Sequence, residues 1–146
     1  MKIAIITSRF NEAIVDALLQ GALHALEQSK MDLQTQVQTI EAPGAFEIPL
    51  IAKKCAETKK FDGIIALGCV IKGETAHFEY ISHACAEGIL NVSLEFGLPV
   101  SFGVITTYDR DQAERRSVKA SSIDQNKGYE AAKACMDTLK SIQSLT

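Results

Sequence analysis

A chain of 146 residues, 47% hydrophobic and 23% charged, is long enough to bury a proper core as one domain, residues 1–146. A net charge of −3, with no basic block and no interleaving of aromatic and basic residues, argues against nucleic acid as a partner. No apolar run approaches the roughly 18 residues of a membrane span, and Arg9, Asn11 and Glu12 cut the amino-terminal apolar run too early for a signal peptide, so no membrane partner and a cytoplasmic location are expected.

Lys2 to Ser8 is nearly continuous in apolar residues, as in a parallel strand buried on both faces. Asn11 is placed as an N-cap, with Glu12 in the first turn of a helix. The apolar face Ile14, Val15, Leu18, Leu19, Ala22, Leu23 and Leu26 carries that helix to about Gln28. Leu33 to Ile40 alternates loosely and is read as a second strand. Pro43-Gly44 marks a turn, and Pro49 fits only a first helical turn, so a second helix begins near it and runs to about Lys59. Asp62-Gly63 opens a third strand ending at Val70-Ile71. Lys72-Gly73-Glu74-Thr75 is a short polar turn. Phe78, Ile81, Cys85, Ile89, Val92 and Phe96 then follow at helical spacing, stopped by Gly97 with Pro99 beyond. Val100 to Thr106 is a fourth strand. Asp109 caps a short polar helix through about Arg116, and Ser117 to Gln125 is a loop. Asn126-Lys127-Gly128 precedes a last helix with the face Ala131, Ala134 or Cys135, Met136, Leu139 and Ile142.

The order βαβαβαβαα predicts an α/β fold, a parallel sheet with helices on both faces. Ligands of such sheets bind at the carboxyl ends of the strands. Those ends are Ser8 to Asn11, Ala42 to Glu47, Lys72 to Thr75 and Thr106 to Tyr108, where the chain's unusual residues gather. Cys55, Cys69, Cys85 and Cys135 form no CxxC, and none has a histidine at metal-ligand spacing, so free, mostly buried thiols are expected ahead of any disulfide, redox or metal role.

His77 stands at the start of a helix, where free N–H groups and the macrodipole favour an anion. Histidine titrates nearest neutrality and is the best acid/base candidate, although an exposed polar residue in a first turn is the commoner role. His24 and His83 lie inside helices without polar clusters. Gly73-Glu74-Thr75 occupies the position of a phosphate cradle but is neither GxxxxGK[ST] nor GxGxxG. Phe10, at a strand end, either stacks on a flat heterocycle or staples the first helix; Phe46 and Phe102 more readily pack the core. Arg116 and Lys127 flank the last loop and either grip a phosphate or are solvated. Glu47 and Glu130 are isolated carboxylates. These patterns alone imply a parallel α/β domain that binds a small anionic ligand.

The strings TSRFN, APGAFEIP, ALGCVIKGETAHFEYI, PVSFGVITT, DQAERR and NKGYEAA, in this order, span the chain from first strand to last helix. Together they resemble the lumazine synthase family, and PGAFEIP with VIKGETAHFEY is the specific combination. The resemblance implies a flavodoxin-like three-layer αβα sandwich with a four-stranded parallel sheet. It implies a transferase of riboflavin biosynthesis, 6,7-dimethyl-8-ribityllumazine synthase, which condenses 5-amino-6-(D-ribitylamino)uracil with 3,4-dihydroxy-2-butanone 4-phosphate without metal or organic cofactor. By position, Phe10 stacks on the pyrimidine, and Ala45, Phe46, Glu47, Cys69, Val70 and Ile71 line the ribitylaminouracil pocket. Glu74 and Thr75 hold the phosphate, and His77 moves protons. Phe102 matches a ring-binding position and Arg116 the phosphate-binding arginine, both contributed by a neighbouring subunit. Lys127 and Glu130 match positions near the site with roles left open.

Three departures bear on these expectations. Lys72 stands where many members have arginine. The loop from Arg116 to Lys127 is longer than in members that form hollow shells, which favours a homo-oligomer that is a pentamer or a pair of pentamers over a shell of about 60 subunits; it also leaves Arg115 as an alternative to Arg116. The chain begins directly at the first strand, without the segment shell-forming members lend to a neighbour, which points the same way. Two other readings are a non-catalytic relative that stores or transfers a flavin or lumazine, which needs no phosphate grip, and a phosphoacceptor signalling domain. The latter wants acids after the first strand, where Thr7-Ser8-Arg9 offers none.

Overall fold

The computed structural model describes residues 1–146. Strands β1 (Ile3–Ser8), β2 (Val37–Ala42), β3 (Gly63–Ile71) and β4 (Val100–Thr107) form one parallel sheet in the order β2-β1-β3-β4. The helices are α1 (Glu12–Gln28), α2 (Leu33–Gln36), α3 (Ile48–Glu57), α4 (His77–Phe96), α5 (Arg110–Arg115) and α6 (Lys127–Gln143), with 3-10 turns at Ala45–Glu47 and Ile123–Gln125. None of the helices is long and apolar enough to cross a membrane.

The two-residue period of a strand sorts the apolar run of β1 between two cores. Ile3 and Ile5 meet Ile14, Leu18 and Leu26 of α1 and Cys135 and Leu139 of α6 on one face. Ala4 and Ile6 meet Ile48 and Ala52 of α3 and Cys85 and Ile89 of α4 on the other. A strand covered on both sides has no use for polar alternation, and all of β1 is buried. Each fully buried isoleucine contributes about 1.5–3 kcal/mol. The result is a flavodoxin-like αβα sandwich. The chain leaves β1 in one direction to β2 and then crosses back to β3, so the topological switch point, where such sheets hold ligands, lies between the carboxyl ends of β1 and β3.

Local signals set most boundaries. Asp109 accepts from Gln112 N–H at 2.8 Å and starts α5. Gly97 ends α4 in the left-handed conformation, φ 66°, its N–H bonded to Ser93 O. Pro49 occupies the first turn of α3. Asn126 caps α6 through Gly128 N–H (2.8 Å) and Tyr129 N–H (3.1 Å). All four cysteines are free and buried.

Several expectations are corrected. Leu33 to Gln36 is a helical turn, because the Asp32 carboxylate accepts from Gln34 N–H and Thr35 Oγ1; β2 begins at Val37 and runs to Ala42. Asn11 does not cap α1 with its side chain. It sits at φ 58° and donates Nδ2–H to Cys69 O at 3.1 Å, tying β1 to β3 across the switch point. On α6, Ala132 and Cys135 are buried while Ala134 and Ile142 are exposed. The loop before α6 is not wholly irregular, since Ile123–Gln125 forms a 3-10 turn.

Candidate active site

The first group of residues lies around the switch point. The Asn11 tie, with Ile14 and Val15 N–H both bonded to Asn11 O, fixes the exit from β1 and leaves the Phe10 ring 71% exposed. A Cβ built on Gly44 would lie 3.3 Å from Phe10 Cδ2 and 3.2 Å from Glu47 Oε2. Glycine here therefore lets the ring, the turn backbone and the Glu47 carboxylate converge. Ala45 is buried in that turn and Phe46 is exposed. Beside it, Arg9 is engaged by Glu41 at 2.7 Å.

At the end of β3, Cys69 is buried while Val70 and Ile71 rise into half-exposure at the rim. Burial pushes the Cys69 thiol up to about 11, opposed by the Arg110 charge, so it is no thiolate nucleophile at neutral pH. Lys72 N–H donates to Thr107 O at 2.9 Å and prolongs the β3–β4 ladder into the turn. Glu74, Thr75 and His77 follow, all exposed, with His77 N–H donating to Thr75 Oγ1 at 3.3 Å. Gly73 is not required by the turn: its φ is not positive, and a Cβ there would meet nothing. The space above it is open.

The second group lines a groove of about 440 Å³ along β4, walled by Ser101 to Thr106 and by Arg116, Lys127, Glu130, Ala131 and Ala134. Phe102 projects there, partly exposed. Arg116 is placed at the end of α5 with Nη1–H donating to Gln112 O at 2.9 Å, and its own carbonyl accepts from Lys127 N–H at 2.9 Å. Lys127 and Glu130 form an ion pair at 2.7 Å. Arg115 instead pairs with Asp111 at 3.1 Å and does not line the groove.

None of Phe10, Ala45, Phe46, Glu47, Cys69, Val70, Ile71, Glu74, Thr75 or His77 lines this groove. The residues singled out in the sequence thus fall into two sets, and the carboxylates of Glu47 and Glu130 belong to different ones. Two features had no role in the sequence reading. The Asn11–Cys69 link joins residues far apart in the chain, beyond any local pattern. Tyr108, exposed at the end of β4, packs 6.2 Å from Phe78, with Lys72 Nζ 5.8 Å from its ring centroid; its signal was only its place at a strand end.

The sheet order, the converging strand ends and the grouped residues are features of the whole chain, and so is the likeness to known proteins. The family model for 6,7-dimethyl-8-ribityllumazine synthase matches residues 1–143. The chain belongs to that family, the lumazine synthase transferases of riboflavin biosynthesis.

Proposed function

We propose that the chain condenses 5-amino-6-(D-ribitylamino)uracil with 3,4-dihydroxy-2-butanone 4-phosphate to give 6,7-dimethyl-8-ribityllumazine, phosphate and water, at a site completed by a second copy of itself. The observation that carries this reading, within the family the chain belongs to, is the separation of the two residue groups. The switch point offers an aromatic face, a carboxylate and a helix start with a histidine. The β4 groove offers a second aromatic and an unpaired guanidinium. Neither alone suits a flat pyrimidine and a phosphate ester together. Set against each other in neighbouring subunits, they do.

In this reading Phe10 stacks on the pyrimidine. Ala45, Phe46 and Glu47 line the ribityl side, and Cys69, Val70 and Ile71 form the wall beneath. Glu74 and Thr75 hold the phosphate at the amino end of α4, where the helix dipole favours an anion. Phe102 and Arg116 come from the neighbour, with Lys127 and Glu130 beside them. The 5-amino group adds to the ketone, and loss of water gives an imine. A proton leaves the adjacent carbon, and the electron pair of the C–O bond departs with phosphate. The resulting enol returns to a ketone, the ribitylamino nitrogen closes the ring on it, and a second water leaves. Each step needs a proton moved, which His77 supplies at the mouth. Departure of phosphate needs positive charge and N–H donors on its oxygens. Much of the acceleration comes from holding two reactants together, which needs no protein nucleophile.

The test mixes purified protein with both substrates and follows lumazine fluorescence. Acceleration over the spontaneous reaction is expected. A rate no faster than the spontaneous one rejects the enzyme reading in favour of a chain that only binds a flavin or lumazine.

A further inference from the structure

The cations at the carboxyl end of the sheet are not equivalent. Arg9 is paired with Glu41, Arg110 and Lys119 with Glu114, Arg115 with Asp111, and Lys127 with Glu130. Of the basic residues in these loops and in α5, Lys72 and Arg116 alone have no carboxylate partner. Arg116 lines the β4 groove, whereas Lys72 stands outside it, where the end of β3 meets β4 and leads into the turn before α4, so each group includes one cation without a carboxylate partner.

Lys72 is also held in place. Its backbone N–H is fixed to Thr107 O at 2.9 Å. Its ammonium stands 5.8 Å from the Tyr108 ring centroid, and Tyr108 is itself backed by Phe78 at 6.2 Å. An aromatic face attracts a cation and leaves its remaining N–H donors open, which a carboxylate would not do. Lys72 directly precedes Gly73-Glu74-Thr75, and the backbone at Gly73 has open space above it. An anion approaching this turn meets no Cβ at Gly73, and the residue just before it carries an ammonium held by an aromatic face.

We infer, given the condensation proposed above, that Lys72 is a phosphate-binding residue, held by Tyr108, and that the butanone phosphate is bound between Lys72 of one copy and Arg116 of the next. One cation from each subunit matches the two negative charges of a phosphate monoester near neutral pH. A further consequence is that phosphate binds well only where two copies meet.

The test compares Lys72→Met and Lys72→Arg with wild type. Lys72→Met should raise KM for the butanone phosphate about tenfold, the scale of one charge-assisted contact, and leave KM for the pyrimidine within about twofold. Lys72→Arg should recover most of the loss. Tyr108→Leu should shift the same constant in the same direction by less. Arg110→Met removes a paired cation from the same region and should leave both constants unchanged. Equal effects of Lys72→Met on both substrates, or none on the phosphate substrate, overturn the assignment. Inorganic phosphate, titrated directly and followed by phosphorus NMR, gives a readout that does not depend on turnover. Weaker binding in Lys72→Met supports the assignment and equal binding overturns it, whether or not the wild-type chain forms lumazine.

Discussion

Arg115 and Arg116 are adjacent at the end of α5 but face different surroundings. The guanidinium of Arg115 is engaged by Asp111 on its own helix, at 3.1 Å, and lies outside the β4 groove. That of Arg116 bonds only a backbone carbonyl and lines the groove with Phe102. An arginine fork with no carboxylate is the better partner for a phosphate. Arg116→Ala should therefore raise KM for the butanone phosphate tenfold or more, an order-of-magnitude expectation for one bidentate contact, and Arg115→Ala should change it less than about twofold. Steady-state kinetics on both variants decide between them, and the reverse ranking would move the assignment to Arg115. The sequence alone could not separate the two, because a change of one position in alignment exchanges them and only the i−4 partner of each distinguishes their roles.

The cysteines carry a residue-scale prediction of another kind. Burial holds Cys69 and Cys85 at about 11 and Cys135 at about 12 in the fold, where an exposed thiol titrates near about 8.5. A raised thiol pKa means that the folded chain keeps protons the unfolded chain would lose. Its contribution to stability is whole below the unfolded value and is lost as pH rises from there towards 11–12. Thermal unfolding should begin at lower temperature at pH 10 than at pH 7, with no comparable loss in a variant carrying serine or alanine at the three positions, judged against its own neutral value. At pH 8 an aromatic disulfide reagent should label the folded chain slowly and the denatured chain at once, since the thiolate is the reactive form. Rapid labelling of the folded chain would refute the burial account.

Among the elements, the junction of α5, the following loop and α6 has the most depending on one side chain. Asn126 is 4% exposed. Its Oδ1 caps α6, and its Nδ2 donates to Ala17 O at 3.0 Å and Ser117 O at 3.3 Å, joining α1, the loop and α6. Asn126→Ala removes a cap worth about 1 kcal/mol and takes the side-chain donor from Ser117 O, at about 1–3 kcal/mol, while Ala17 O stays within the helical ladder of α1, so a loss of about 2–4 kcal/mol in urea unfolding is expected. Asn126→Asp keeps the cap acceptor but sets a carboxylate oxygen against both carbonyls in a buried site, so it should not recover the loss. Because Lys127 N–H bonds Arg116 O, both variants should also weaken phosphate binding. The sequence places the start of α6 near Asn126 without assigning that side chain the cap, whereas the helix ends at Asp109 and Gly97 were legible in it, since capping is a local rule. Asn11 obeyed a non-local one: its partner is the carbonyl of Cys69 on another strand. Leu33 to Gln36 was misread because loose alternation outweighed the capping power of Asp32, whose carboxylate nucleates a helical turn. The four strands and their parallel order were legible because apolar runs of this length, alternating with amphipathic helices, have few other ways to bury themselves.

At the scale of the molecule, the isolated chain presents surfaces that water does not favour. Tyr80, Leu90 and Leu94 are exposed on α4, and Phe46 and Leu50 are exposed on the neighbouring turn and α3. On α4, Tyr80, His83, Glu87, Leu90 and Leu94 follow one another at alternating steps of three and four, the spacing of a helix face that meets another helix. Exposed apolar groups gathered in this way mark an interaction surface. Association of like copies is the reading that also brings the two residue groups together, and a closed ring is the simplest way to give every copy one complete site from a head-to-tail contact. Light scattering should return the mass of a pentamer or a pair of pentamers, and a shell of about 60 subunits would refute that expectation. A sharper test uses two damaged chains. His77→Ala impairs the switch-point half and Arg116→Ala the groove half, so each variant alone should be strongly impaired. If a site takes His77 from one copy and Arg116 from the next, unfolding the two together in equal amounts and refolding should restore about one quarter of the sites by random assembly. If each chain instead carried a whole site, mixing would restore none, and the activity of the mixture would stay at the mean of its two parents.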